Sequence, residues 1–75
     1  MVAVVDLKEI VSRGGGIILR ARDIPIMDIK EIASRAANSG ALVTLRNANH
    51  IPVVDLKEIA SRSQGHVVLD FTREV

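Results

Sequence analysis

Six carboxylates recur as matched pairs along this chain: Asp6 with Glu9, Asp28 with Glu31, and Asp55 with Glu58. Paired carboxylates suit general acid/base chemistry, but a catalytic pair must be singular, with environments that push its two pKa values apart. Here each pair belongs to the same octet, Asp-(Leu/Ile)-Lys-Glu-Ile-(Val/Ala)-Ser-Arg, which runs Asp6 to Arg13, Asp28 to Arg35 and Asp55 to Arg62. Recurrence at equivalent places points to local helix stabilisation and away from catalysis. Ser12, Ser34 and Ser61 recur in the same way, and none has a histidine at a nucleophile–base motif spacing.

The remaining chemistry-bearing residues are few. His50 and His66 are the only histidines and have no clustered ligand type beside them. Gly14-Gly15-Gly16 lies after a helix pattern and before a strand pattern, whereas a phosphate-cradling loop needs strand, loop and then helix N-terminus. With no cysteine, thiolate zinc sites, disulfides and thiol catalysis are excluded. The sequence therefore assigns no catalytic residue, no metal ligand and no cofactor, and the chain reads as non-enzymatic.

Composition narrows the partners. Ten basic and nine acidic residues leave a net charge of +1, without the basic excess of a dedicated nucleic-acid binder. Phe71 is the one aromatic residue, so there is no stacking platform for single strands. No apolar run approaches the roughly 20 residues of a membrane helix, and no signal-peptide pattern opens the chain. The cytoplasm is the expected compartment, with neither nucleic acid nor membrane as partner.

The octets must sit on helices. Counting from each Asp, apolar residues fall at +1, +4 and +5: Leu7, Ile10 and Val11; Ile29, Ile32 and Ala33; Leu56, Ile59 and Ala60. That spacing makes a narrow stripe of helical period. Lys at +2 and Ser at +6 are expected on the opposite face, toward water. Glu at +3 and Arg at +7 stand four apart with the acid first, so Glu9–Arg13, Glu31–Arg35 and Glu58–Arg62 should pair. Two starts are open: Asp as N-cap of a capping box, or a helix begun near Pro25 and Pro52 with Asp in its first turn. Gly14, Gly40 and Gly65 suit left-handed caps at the far ends.

After each cap comes a strand candidate: Ile17 to Ala21, Ala41 to Asn47, and His66 to Phe71. Aligned on Leu19, Leu45 and Leu69, one face carries Ile17/Leu19/Ala21, Val43/Leu45/Asn47 and Val67/Leu69/Phe71. This face should meet the helices. The other carries Ile18/Arg20/Arg22, Leu42/Thr44/Arg46 and Val68/Asp70/Thr72, a mixed and open surface. Strands separated by helices run parallel with right-handed crossovers. The expected fold is α/β: a single domain of three tandem helix–strand repeats (2–23, 24–50, 51–75), with a parallel sheet in the order 1-2-3 and the helices on one face. Such an array is a short solenoid in which each unit contacts only its neighbours.

At this level the chain resembles leucine-rich repeat proteins of the helix-containing, ribonuclease-inhibitor-like kind. Val43-Thr44-Leu45-Arg46-Asn47-Ala48-Asn49 is similar to that family's Leu-x-Leu-x-x-Asn strand and turn. It departs from the pattern in that Asn49 is four residues after Leu45, and Asp23 and Arg73 stand at the equivalent sites. The resemblance implies the solenoid architecture and no functional residue.

The functional expectation follows from what such a fold leaves uncovered. A core of this size leaves little stability margin. Both edge strands would be exposed, the third with only Asp70 among Val67, Val68, Leu69 and Phe71 to discourage edge pairing. We therefore expect a small interaction or structural module that self-associates, as a homodimer in the simplest case, with room for another protein partner. The candidate interaction surface is the open sheet face: Arg20, Arg22, Thr44, Arg46, Val68 and Asp70. Two other classes remain: a ligand-binding protein or enzyme whose site forms between subunits around His50, Arg46 and Asp70, or a nucleic-acid accessory using Lys8, Lys30 and Lys57 as a ladder.

Overall fold

Pro25 and Pro52 decide where the second and third helices begin. Each proline holds φ at −57° with ψ near 145° or 143°, an extended N-cap geometry that lets its carbonyl accept the first helical N–H groups. Asp28 and Ile29 donate to the Pro25 carbonyl, and Asp55 and Leu56 to that of Pro52, all at 3.0 Å. Ala3 does the same for Asp6 and Leu7 in the first repeat. The helix begun upstream of the Asp is thus the correct alternative. No N-cap makes a side-chain cap bond, and the three Asp residues sit in the first turn, where the helix dipole favours an acid.

The computed structural model describes residues 2–72. Among them are helices α1 (Val4–Ser12), α2 (Ile26–Ser39) and α3 (Val53–Ser63), alternating with strands β1 (Ile17–Arg20), β2 (Val43–Arg46) and β3 (Val67–Leu69). The sheet is parallel in the order β1-β2-β3, and its register pairs Leu19 with Leu45 and Leu45 with Leu69, as the alignment of the repeats requires. The fold is therefore the expected α/β array.

The strands are shorter than the apolar runs suggested. After β1 and β2 the chain tightens into 3-10 turns at Ala21–Asp23 and Ala48–His50, whose first residues are small and buried. Arg22 consequently lies in a turn and does not extend the open-face row. Phe71, expected to meet the helices, follows the end of β3 and is exposed. Arg73, the third copy's counterpart of Asn49, lies outside the described residues.

The core runs between helices and sheet and is densest in the middle repeat. Ile29, Ile32, Ala33, Val43 and Leu45 are essentially inaccessible. In the outer strands Ile17, Leu19, Val67 and Leu69 are only partly buried. The helical stripe behaves likewise at the ends, where Ile10 and Ala60 are exposed while their counterparts are buried. An end position forfeits the neighbour that covers it, so the expectation of three equal stripes holds only inside the array.

The helix C-termini need left-handed residues, and each copy supplies one differently. Gly14 (φ 91°) donates to the Val11 carbonyl and Gly15 to that of Ile10, the paired bonds of a Schellman motif. Gly40 is itself the C-cap of α2. In α3 the C-cap is Gln64, which adopts φ 50° with a side chain present, and Gly65 after it is left-handed as expected (φ 87°). A non-glycine residue there is strained, and Gln64 is exposed. Gln64→Gly should therefore raise stability by about 0.5–1 kcal/mol, after allowing for the greater freedom of glycine in the unfolded chain. The readout is a higher urea midpoint at unchanged m-value.

Candidate interaction surface

Two surfaces gather the polar residues of the repeat. The first is the open sheet face. Ile18, Thr44 and Val68 occupy one cross-strand row by register, and Arg20 pairs with Arg46 in the next. Asp70 lies just beyond β3, yet its N–H donates to the Leu45 carbonyl and its own carbonyl accepts from Ala48. The backbone thus places Asp70 at the end of the row of Arg20 and Arg46. The Asp70 carboxylate accepts from the Thr72 hydroxyl and N–H. These bonds, with the attraction of Arg46, hold its pKa below the ordinary aspartate value. Ile18, Leu42 and Val68 stand out of this face at 70%, 53% and 46% exposure, which makes it substantially apolar between its charges.

The second surface, on the helices, departs from expectation. Lys at +2 does not face water. Lys8 Nζ donates to Asp28 Oδ1 at 2.8 Å and to Glu31 Oε1 at 3.1 Å, both in the following repeat. Lys30 Nζ lies 2.9 Å from Asp55 Oδ1 and 3.0 Å from Glu58 Oε1. Each lysine therefore straps one helix to the next, with its side chain only 18% or 13% exposed. Glu31 and Glu58 use their other oxygen to accept from Arg35 and Arg62, so the expected i,i+4 pairs form as well. Glu9 and Arg13 also pair, at 2.9 Å.

The physical reason is the helical wheel. At about 100° per residue the Lys at +2 lies on one flank of the buried stripe, while Asp, Glu at +3 and Arg at +7 lie on the other. Stacking places the lysine flank of one helix against the acidic flank of its successor. Ser at +6 shares the lysine flank, and Ser12 Oγ accepts from Arg35 at 2.8 Å. Reading the octet as one helix against water hid this pairing. Comparing opposite flanks of consecutive copies would have exposed it.

The remaining candidates stay apart. His50 closes the 3-10 turn before α3 and is exposed, while His66 precedes β3. Among the described residues no group of three His, Asp or Glu is placed to hold a metal ion. A shallow depression of about 160 Å³ lies between the ends of α1 and α2, lined by Ser12, Arg35, Asn38 and Ser39. Ser39 Oγ is committed there, donating to the Val11 carbonyl at 2.6 Å. Among the described residues no helix is long and apolar enough to cross a membrane. Compared with known protein families, curated proteins and solved structures, the chain matches none of them.

The strap sets two expectations. Lys30→Met leaves Asp55 and Glu58 without their shared cation, so it should lower the urea midpoint modestly but measurably. Arg13→Met removes only an exposed pair and should change stability by less than about 0.5 kcal/mol. The pH profile follows from the same groups. Bonding to Arg35 and Lys8 lowers the pKa of Glu31, and bonding to Lys30 and Arg62 lowers that of Glu58. Their contribution is present above the ordinary glutamate range and is lost as pH falls through the lowered folded-state values. Bonds to Asp28 and Glu31 raise the pKa of Lys8, and bonds to Asp55 and Glu58 that of Lys30. Their contribution persists below the ordinary lysine value and is lost as pH rises through the raised one. Urea midpoints followed from acid to alkaline pH should show a plateau falling at both ends, and Lys30→Met should flatten both falls.

Proposed function

We propose that this chain is a small non-enzymatic interaction module that acts as a homo-oligomer, a homodimer being the simplest form. The observation that carries the reading is uncovered structure: β1 and β3 each pair with a single strand among the described residues, and the sheet face between them is open and partly apolar. An unpaired strand edge presents backbone donors and acceptors to any chain that can add a strand. Exposed apolar residues grouped on one face mark association surfaces more often than isolated ones do. The solenoid resemblance supports the same reading, because an open sheet face offers a continuous surface to a protein partner. Arg20, Thr44, Arg46, Val68 and Asp70 are the residues proposed to meet that partner, with Arg22 at the rim.

The chemistry present fits a binding role. The titratable groups with displaced pKa values belong to the helix straps and to the Asp70 turn, where each has a structural partner. Size-exclusion chromatography with light scattering tests the proposal directly. At micromolar concentration the mass should be twice the 8.1 kDa chain mass or more. A monomer with full secondary structure by circular dichroism would overturn it.

A further inference from the structure

The two internal junctions of the array are built alike, and the two ends of the molecule are the unmated halves of that same junction. At each junction a lysine at +2 meets the Asp and Glu of the next helix. The +5 residues of the first two helices, Val11 and Ala33, and the +4 residues of the last two, Ile32 and Ile59, are buried. A strand edge is paired in parallel with its successor.

The first repeat presents the acceptor half of this set. Asp6 and Glu9 are exposed, with no lysine against them among the described residues, and Ile10 at +4 stands 40% exposed although Ile32 and Ile59 are buried. The third repeat presents the donor half. Lys57 is exposed and has no acidic partner among the described residues, and Ala60 at +5 is exposed although Val11 and Ala33 are buried. The outer edges of β1 and β3, strands that run parallel in the sheet, complete the two halves.

We propose that copies of this chain stack head to tail, the Lys57 flank of α3 in one copy docking on the Asp6–Glu9 flank of α1 in the next. This inference rests on the homo-oligomer reading above and specifies its interface. Lys57 bridges Asp6 and Glu9 as Lys8 bridges Asp28 and Glu31, Ile10 packs against Ala60, and β3 of one copy pairs in parallel with β1 of the next. Charge complementarity selects this arrangement. A symmetric contact through either end would bring Asp6 and Glu9 against their own copies, or Lys57 against itself, and like charges brought together are costly. A head-to-tail contact is heterologous, so it continues beyond two copies unless it closes into a ring.

Charge reversal at each half tests the interface. Lys57→Glu disables the donor end, and Asp6→Lys with Glu9→Lys disables the acceptor end. All three positions are exposed, so both variants should keep their circular dichroism spectrum. Each variant alone should need at least about tenfold higher concentration to associate than the original chain. An equimolar mixture of the two should recover the larger mass, because the unaltered donor of one variant then meets the unaltered acceptor of the other, and the reversed donor meets the reversed acceptor. Carbodiimide crosslinking of the unaltered chain, read by mass spectrometry, should join Lys57 of one copy to Asp6 or Glu9 of another; this holds even if a variant misfolds. An oligomer whose mass and crosslinks ignore these three residues would overturn the head-to-tail interface while leaving self-association intact. A mixture that fails to recover assembly would overturn it too, and a monomeric unaltered chain would remove both proposals.

Discussion

A nine-residue helix and a four-residue strand cannot bury their own apolar stripe, so each repeat here depends on the repeat beside it. The consequence is visible in residues that occupy the same place in different copies. Ile32 and Ile59 are fully buried because a preceding helix covers the flank at +4, whereas Ile10 has no such cover. Val43 and Leu45 are inaccessible between two neighbours, while Ile17, Leu19, Val67 and Leu69 have one neighbour each. Burial is a property of the junction, and the array has two complete junctions.

The lysine strap adds direction to a contact that apolar packing alone leaves unspecific. An apolar stripe accepts any neighbour of suitable volume. A lysine held by two carboxylates accepts only the flank that carries them, at one axial offset between helices. Lys8 and Lys30 perform this at both junctions with near-identical geometry. The strap is partly exposed, so screening by solvent keeps each bridge modest in energy. Its larger effect is on specificity: it rejects slipped or inverted stacking, because either brings like charges together.

Much of this architecture was legible in the sequence, and the failures share one cause. The period of the octet gave the helices, the β-branched runs gave the strands, and alignment of the copies gave the sheet register from Leu19, Leu45 and Leu69. Each of those features is local or is repeated identically. The lysine assignment failed because a helix was considered against solvent, while the flank of Lys8 is covered by a helix that begins 18 residues after it. The first strand was overextended because Ala21 continues an apolar pattern but is buried in the 3-10 turn that follows β1. Gln64 is a second left-handed residue beside the expected Gly65, and its side chain gives no sequence signal for that conformation. In the open face the row of Arg20 and Arg46 was correct, and Arg22 was lost to the turn that ends β1.

The same geometry divides labour between two classes of residue on the proposed reading. Strands in a sheet stack about 4.8 Å apart, whereas packed helices need roughly 8–10 Å, so a one-sided array must curve with the sheet on its inner side. The residues that recur in every copy, Asp, Lys, Glu and the apolar positions of the octet, lie at the junctions and ends. The residues that differ between copies lie on the inner face: Ile18, Thr44 and Val68 in one row, Arg20, Arg46 and Asp70 in the next. Repetition suits a contact that must be made the same way many times. Divergence suits a surface that meets something unlike itself, so assembly belongs to the octet, and recognition of another partner to the sheet.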